Sequence, residues 1–169
     1  ASIWLPVVLL VSGILMATTP LVSAALGANR ADSIPDTVHQ ALWLSLLLSV
    51  IGIVALMNVS PIFDWLETPA HLQSLTYGYL NAIAIGLPAA AIFAVLRNYC
   101  ESMGHPMPVT MISVLGLLIN IPVNYVFIHG KLGIPAMGGV GCGWASALVM
   151  WLMTLMLIGY VLMAPVLAK

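Results

Sequence analysis

Five runs of about twenty or more mainly apolar residues follow one another along this chain, divided only by short polar or Pro/Gly-rich joints. A helix crossing about 30 Å of hydrocarbon needs roughly 20 such residues, and lipid obliges each segment to satisfy its own backbone groups. The pattern predicts spanning helices over about 3–26, 37–59, 70–98, 107–129 and 141–164. Composition excludes a water-soluble fold: 5% of residues are charged, 62% are hydrophobic and mean hydropathy is +1.13. A soluble domain carries roughly 25% charged residues. The expected fold class is all-α, a polytopic membrane bundle of about five transmembrane helices whose solvent is the lipid bilayer, with no nucleic-acid partner.

The joints read as loops too short for a soluble domain. GANRADSIP (27–35) ends the first span with glycine and opens the second with Pro35, Asp36 and Thr37. SPIFDWLETPAH (60–71) puts Asp64 and Glu67 in water, with Phe63 and Trp65 suited to the interface. ESMGHPMP (101–108) and GKLGIPAMGGVG (130–141) form the other two.

Orientation follows from the few basic residues. Arg30, Arg97 and Lys169 fall on one side of the alternating topology, and the 60–71 joint has two acids and no base. The positive-inside rule makes that side cytoplasmic, with Lys131 the single vote against, so the chain starts outside and ends inside. A start outside, with neither Met nor a basic leader, predicts at least one helix upstream. The rival is a signal peptide cleaved after VSA at 22–24, disfavoured by the missing positive region and the long apolar run.

On this topology Cys100 and Cys142 lie at opposite faces of the membrane and are expected as packing residues. His39 and His105 are expected on the cytoplasmic side, His71 and His129 outside. A four-histidine site would have to span the bilayer, so no metal site is expected.

Gly78, Ala82, Gly86, Ala90 and Ala94 recur every four residues, a smooth ridge for close helix approach. The fifth span repeats the device with Gly138 or Gly139, Cys142 or Gly143, then Ser146 or Ala147. Tight packing explains both ridges; a sharper reading has these faces slide or bend, with Pro20 and Pro88 as weak points.

The run GLLINIPVNYVFIHG (116–130) carries two asparagines and a proline inside an otherwise apolar span. A buried amide is costly without partners, and polar groups at membrane depth are functional candidates. Asn120 and Asn124 share a helix face about 6 Å apart along the axis. Pro122 has no N–H, so the carbonyl of Leu118 loses its helical donor. Two amide oxygens and that carbonyl suit part of a cation site, or hydrogen bonds to a substrate or a protonated carboxyl on another helix. The competing reading has the amides tie helices together while the proline only bends its own. No acid lies inside any span to complete a charged site.

The run LLINIPVNYVFIHGKLGIPAMGGVGCGWASAL (117–148) resembles the fifth and sixth helices of the NorM-like branch of the multidrug and toxic compound extrusion (MATE) transporters. SIWLPVV (2–8), TPLVSAALGANR (19–30), VHQALWL (38–44) and GLPAAAIFAVLRNYCESMGHPMP (86–108) match in order. The resemblance implies an incomplete N-terminal lobe over 1–169, helices two to six of a twelve-helix transporter. The first helix and the C-terminal lobe would then belong to the same protein outside this segment, along with their cation-site acids.

It further implies a secondary antiporter of the bacterial inner (plasma) membrane. Such a protein exports cationic, amphipathic, drug-like compounds in exchange for Na+ or H+, with no other cofactor. By position Asn120, Asn124 and Ser146 would face the cavity, and Pro20, Pro88 and Pro122 would mark bends. Many members have an acid where Asn124 stands, so its neutrality here argues against a mechanism needing a carboxylate there. Arg97, Gly104 and Pro108 match a cytoplasmic R…G…P pattern, in which His105, Pro106 and Met107 replace an often basic stretch. Two other classes compete: a small structural or partner-binding membrane protein, and an intramembrane enzyme, for which no buried acid, histidine cluster or activated serine is visible.

Overall fold

The computed structural model describes residues 4–58, 70–130 and 136–163. Its helices are α1 (Trp4–Leu15), α2 (Thr18–Gly27), α3 (Ile34–Met57), α4 (Ala70–Ser102), α5 (Pro106–His129) and α6 (Gly139–Met163), with a 3-10 turn at Ala31–Ser33. No strand occurs among the described residues. Among the described residues five segments are long and apolar enough to cross a membrane: Leu5–Gly27, Ile34–Met57, Leu75–Ser102, Pro106–His129 and Gly139–Met163. The chain is an integral membrane protein.

The first span differs from the single helix expected over 3–26. It is two helices, interrupted at Met16 and Ala17. Pro20 supplies no N–H to the carbonyl of Met16 and its ring crowds that oxygen, so the chain tightens instead. Ala17 N donates to Ile14 O at 3.2 Å and Thr19 N to Met16 O at 3.1 Å, both three-residue turns. The break therefore falls one turn before the proline that causes it.

Other helix ends follow local chemistry. Pro35 sits in the first turn of α3 with Asp36 beside it, where a missing N–H costs nothing and an acid meets the positive end of the helix. The fourth helix runs a turn beyond the expected residue 98, and Arg97 Nε donates to Glu101 Oε1 at 2.8 Å along that turn. Gly130 closes α5 at φ 67°, donating to Val126 O at 3.0 Å. A side chain there would collide with the backbone of Ala136, so the turn requires glycine.

The central helix is α4: 56% of its most apolar stretch is buried, against 11% for α5. One core cluster joins Val22, Ile34, Leu96, Tyr99, Cys100, Val109, Ile112 and Leu157. The α2–α3 connection, which carries Arg30, and the end of α4, which carries Arg97, therefore share one end of the bundle. A second cluster packs Val11 and Leu15 of α1 with Ala41, Ala91 and Val95. The expectations for Phe63, Asp64, Trp65, Glu67, Lys131, Lys169 and the His71 side chain lie outside the described residues.

Candidate functional site

Two small-residue ridges meet where α4 and α6 cross. A Cβ on Gly78 would stand 2.8 Å from Val140 Cγ2, one on Gly143 3.1 Å from Ala82 Cβ, and one on Gly86 2.9 Å from Ala147 Cα. The α6 stripe that faces α4 is thus Val140, Gly143 and Ala147. A step of four residues overshoots a 3.6-residue turn by about 40°, so the count starting at Gly78 drifts off this face. Ala90 lies where α1, α3 and α6 meet, near Val8, Leu56 and Met150, and Ala94 packs on the Val11–Leu15 cluster.

Beyond Gly86 the contact becomes polar. Thr154 Oγ1, fully buried, donates to Ala89 O at 2.8 Å and approaches Met150 O at the same distance. Trp151 Nε1 donates to Ile85 O at 3.0 Å. These two α6 side chains bracket Pro88, which supplies no N–H to the carbonyl of Ala84. The helix α4 remains continuous through Pro88, as α5 does through Pro122. At the break in the first span, Asn98 Nδ2 donates to Leu15 O at 2.9 Å, and Ser102 Oγ, which donates to Asn98 O at 2.6 Å, approaches Thr19 O at 3.3 Å. Sequence reasoning missed Asn98, Ser102, Trp151 and Thr154. The one available signal was that each is polar and falls inside or at the end of an apolar span.

Asn120 and Asn124 are both half-buried on α5 and bond to each other. Asn124 Nδ2 donates to Asn120 Oδ1 at 2.7 Å and to Asn120 O at 3.0 Å. These bonds stay within α5, so the amides do not tie helices together as the structural reading supposed. The pairing engages both oxygens of Asn120 and leaves Asn124 Oδ1 buried without a hydrogen-bond partner among the described residues. Such an orphan acceptor costs about 1–3 kcal/mol. The pair therefore offers one donor edge, Asn120 Nδ2, and one acceptor, Asn124 Oδ1.

The helices α5 and α6 run antiparallel, with Gly116 against Met153 and Phe127 O against Gly141. Interpolating between these two anchors puts Ser146 at the axial level of Pro122 to Asn124. Ser146 lies two turns from Met153. It is half-buried and makes no hydrogen bond among the described residues. Among the described residues no hydrogen bond joins Ser146 to the asparagine pair. The histidines stand apart from it: His39, His105 and His129 each bond a nearby backbone carbonyl, of Pro35, Met103 and Tyr125.

This architecture is that of a helical membrane protein with a pair of half-buried, mutually bonded amides on α5. The family model described as MatE matches residues 1–126, and the chain belongs to that family. It is 46% identical over 165 residues to the multidrug resistance protein MdtK of Edwardsiella ictaluri, covering 97% of this chain and 36% of that protein. It is 42% identical over 168 residues to the multidrug resistance protein NorM of Vibrio cholerae, covering 99% of this chain and 37% of the relative. The chain thus spans little more than a third of these relatives' length. A solved structure, an inward-facing conformation of a multidrug resistance MATE family transporter of the MOP superfamily, superposes with a TM-score of 0.84 at 21% identity. That match covers 94% of this chain and 35% of the other and shows the fold. The family is one of transporters, not of enzymes.

Proposed function

We propose that residues 1–169 are part of the N-terminal lobe of a secondary multidrug antiporter in a bacterial inner membrane. The spans correspond to its second to sixth helices, and the protein exports cationic, amphipathic compounds in exchange for Na+ or H+ by alternating access. The chain start lies outside and its end in the cytoplasm, following Arg30, Arg97 and Lys169. The observation that carries the reading is the Asn120–Asn124 pair, with its buried orphan acceptor, in a chain whose relatives are named multidrug resistance proteins.

The pair supplies orientation and not charge. Of the five acids of the chain, Asp32, Asp36 and Glu101 lie in joints or helix ends, and Asp64 and Glu67 fall in the polar sequence joint outside the described residues. The counter-charge for a cation then comes from parts of the protein outside this chain. Because Asn124 holds both Asn120 oxygens, the pair in this arrangement suits a group that both accepts and donates, such as a protonated carboxyl or a substrate amine beside an acceptor. Efflux of a fluorescent organic cation from cells expressing the full-length protein, with and without a sodium gradient and at two external pH values, tests the proposal. Gradient-dependent efflux is expected; absence of flux under every gradient would defeat it.

A further inference from the structure

At the break in the first span, one N–H faces a choice of two carbonyls. In a continuous helix Thr19 N would donate to Leu15 O, four residues back. Here it donates to Met16 O at 3.1 Å, and Leu15 O takes its hydrogen bond from Asn98 Nδ2 on α4 at 2.9 Å. Leu15 is 1% exposed, Thr18 4% and Asn98 7%, so water does not substitute for the amide. The broken form is complete because Asn98 supplies the donor that the helix has withdrawn. The continuous form needs Thr19 N to return to Leu15 O and Ala17 N to move from Ile14 O to Gly13 O, with Pro20 then bending the helix instead of interrupting it.

The two sides of the break are seated separately. Val11 and Leu15 of α1 belong to the cluster with Ala41, Ala91 and Val95, while Val22 of α2 belongs to the cluster around Leu96, Tyr99 and Leu157. Met16 and Ala17, between them, are exposed. Ser102 Oγ donates to Asn98 O at 2.6 Å and lies 3.3 Å from Thr19 O, so the first turn of α2 rests against the end of α4. A change at Met16–Ala17 therefore reorients α1 without unseating α2.

We propose that Asn98 is a positioning residue for a hinge at Met16–Ala17. Its amide selects the broken form of the first span, and its release lets α1 change its angle to α2 during transport. The use of the hinge rests on the transporter reading; its existence does not.

The test is pulsed electron resonance on the full-length protein in lipid nanodiscs, with Cys100 and Cys142 replaced by alanine and spin labels at the exposed positions Leu9 and Ala24. In a continuous helix those Cα atoms would lie about 22 Å apart. Asn98→Ala is expected to move the distance distribution toward the continuous-helix value. Pro20→Ala, which restores the missing donor, is expected to move it the same way and serves if Asn98→Ala does not fold. One distribution shared by wild type, Asn98→Ala and Pro20→Ala would overturn the hinge. Efflux per folded molecule should fall at least fivefold in Asn98→Ala; a distance shift with efflux unchanged would overturn its role in transport. A wild type that carries no cation at all would sink the transporter reading, while the distances still decide the hinge.

Discussion

The Asn120–Asn124 pair makes a sharp demand at the scale of single residues. Asn124 spends its N–H groups on Asn120 and keeps a buried, unserved oxygen. A side chain kept only for stability would gain by losing that oxygen. Asn124→Leu removes that orphan oxygen along with the donor to Asn120 Oδ1, and these offset, so it is expected to leave the amount of folded protein in the membrane about unchanged while lowering coupled efflux at least tenfold. Asn120→Leu should lower efflux similarly but lose some folded protein, since it removes the Oδ1 partner of Asn124 Nδ2 and leaves it only the backbone oxygen of residue 120. Efflux against fluorescence-detected size-exclusion yield reads both quantities, and parallel losses for Asn124→Leu would assign it a structural role. The two amides were legible in the sequence because they interrupt an apolar run at a four-residue spacing. Their bonding to each other was not, since the same spacing also suits two amides turned toward a neighbouring helix.

Helix packing turns on a few backbone approaches. At Gly86 an added side chain meets Ala147 Cα, which is backbone and does not rotate away. Gly86→Val is expected to destabilise the bundle by at least about 1–3 kcal/mol, the usual cost of overpacking. Gly13 meets nothing within 4 Å, so Gly13→Ala should be neutral or slightly stabilising. Thermal unfolding in detergent, followed by tryptophan fluorescence, separates the two. Thr154→Val keeps the shape but removes the hydroxyl bond to Ala89 O, and a loss of about 0.6 kcal/mol is expected by the same measurement. Five spans could be read from apolar run length, because lipid thickness sets that length. The break before Pro20 could not, for proline disturbs the carbonyl four residues earlier, and whether a helix bends or interrupts depends on a donor such as Asn98 from another helix. The ridge on α4 was visible as a four-residue repeat, yet its partner register, Gly143 and Ala147 and not Cys142 and Ser146, depends on how α6 is rotated.

At the scale of the whole molecule, the core clusters run from α1 and α2 through α4 to α5 and α6, so the described helices pack as one unit around α4. One such unit has nothing to rock against, and alternating access needs two bodies with a site between them. Large apolar side chains cover the outer faces of α3 and α5, among them Trp43, Leu47, Met107, Met111, Leu117 and Leu118. Sequence does not divide these into lipid-facing and lobe-facing sets, because a hydrocarbon tail and a second helical lobe demand the same apolar surface. A shallow apolar groove of about 780 Å³ between the start of α5 and the end of α6, near Met111, Leu115 and Tyr160, has the same ambiguity. Residues 1–169 alone, reconstituted in liposomes, are therefore expected to insert as a helical bundle by circular dichroism and to carry no fluorescent cation under sodium or proton gradients. Gradient-driven flux from this piece would show that one lobe suffices, and Asn120, Asn124 and Ser146 would then have to complete a transport site without a buried carboxylate.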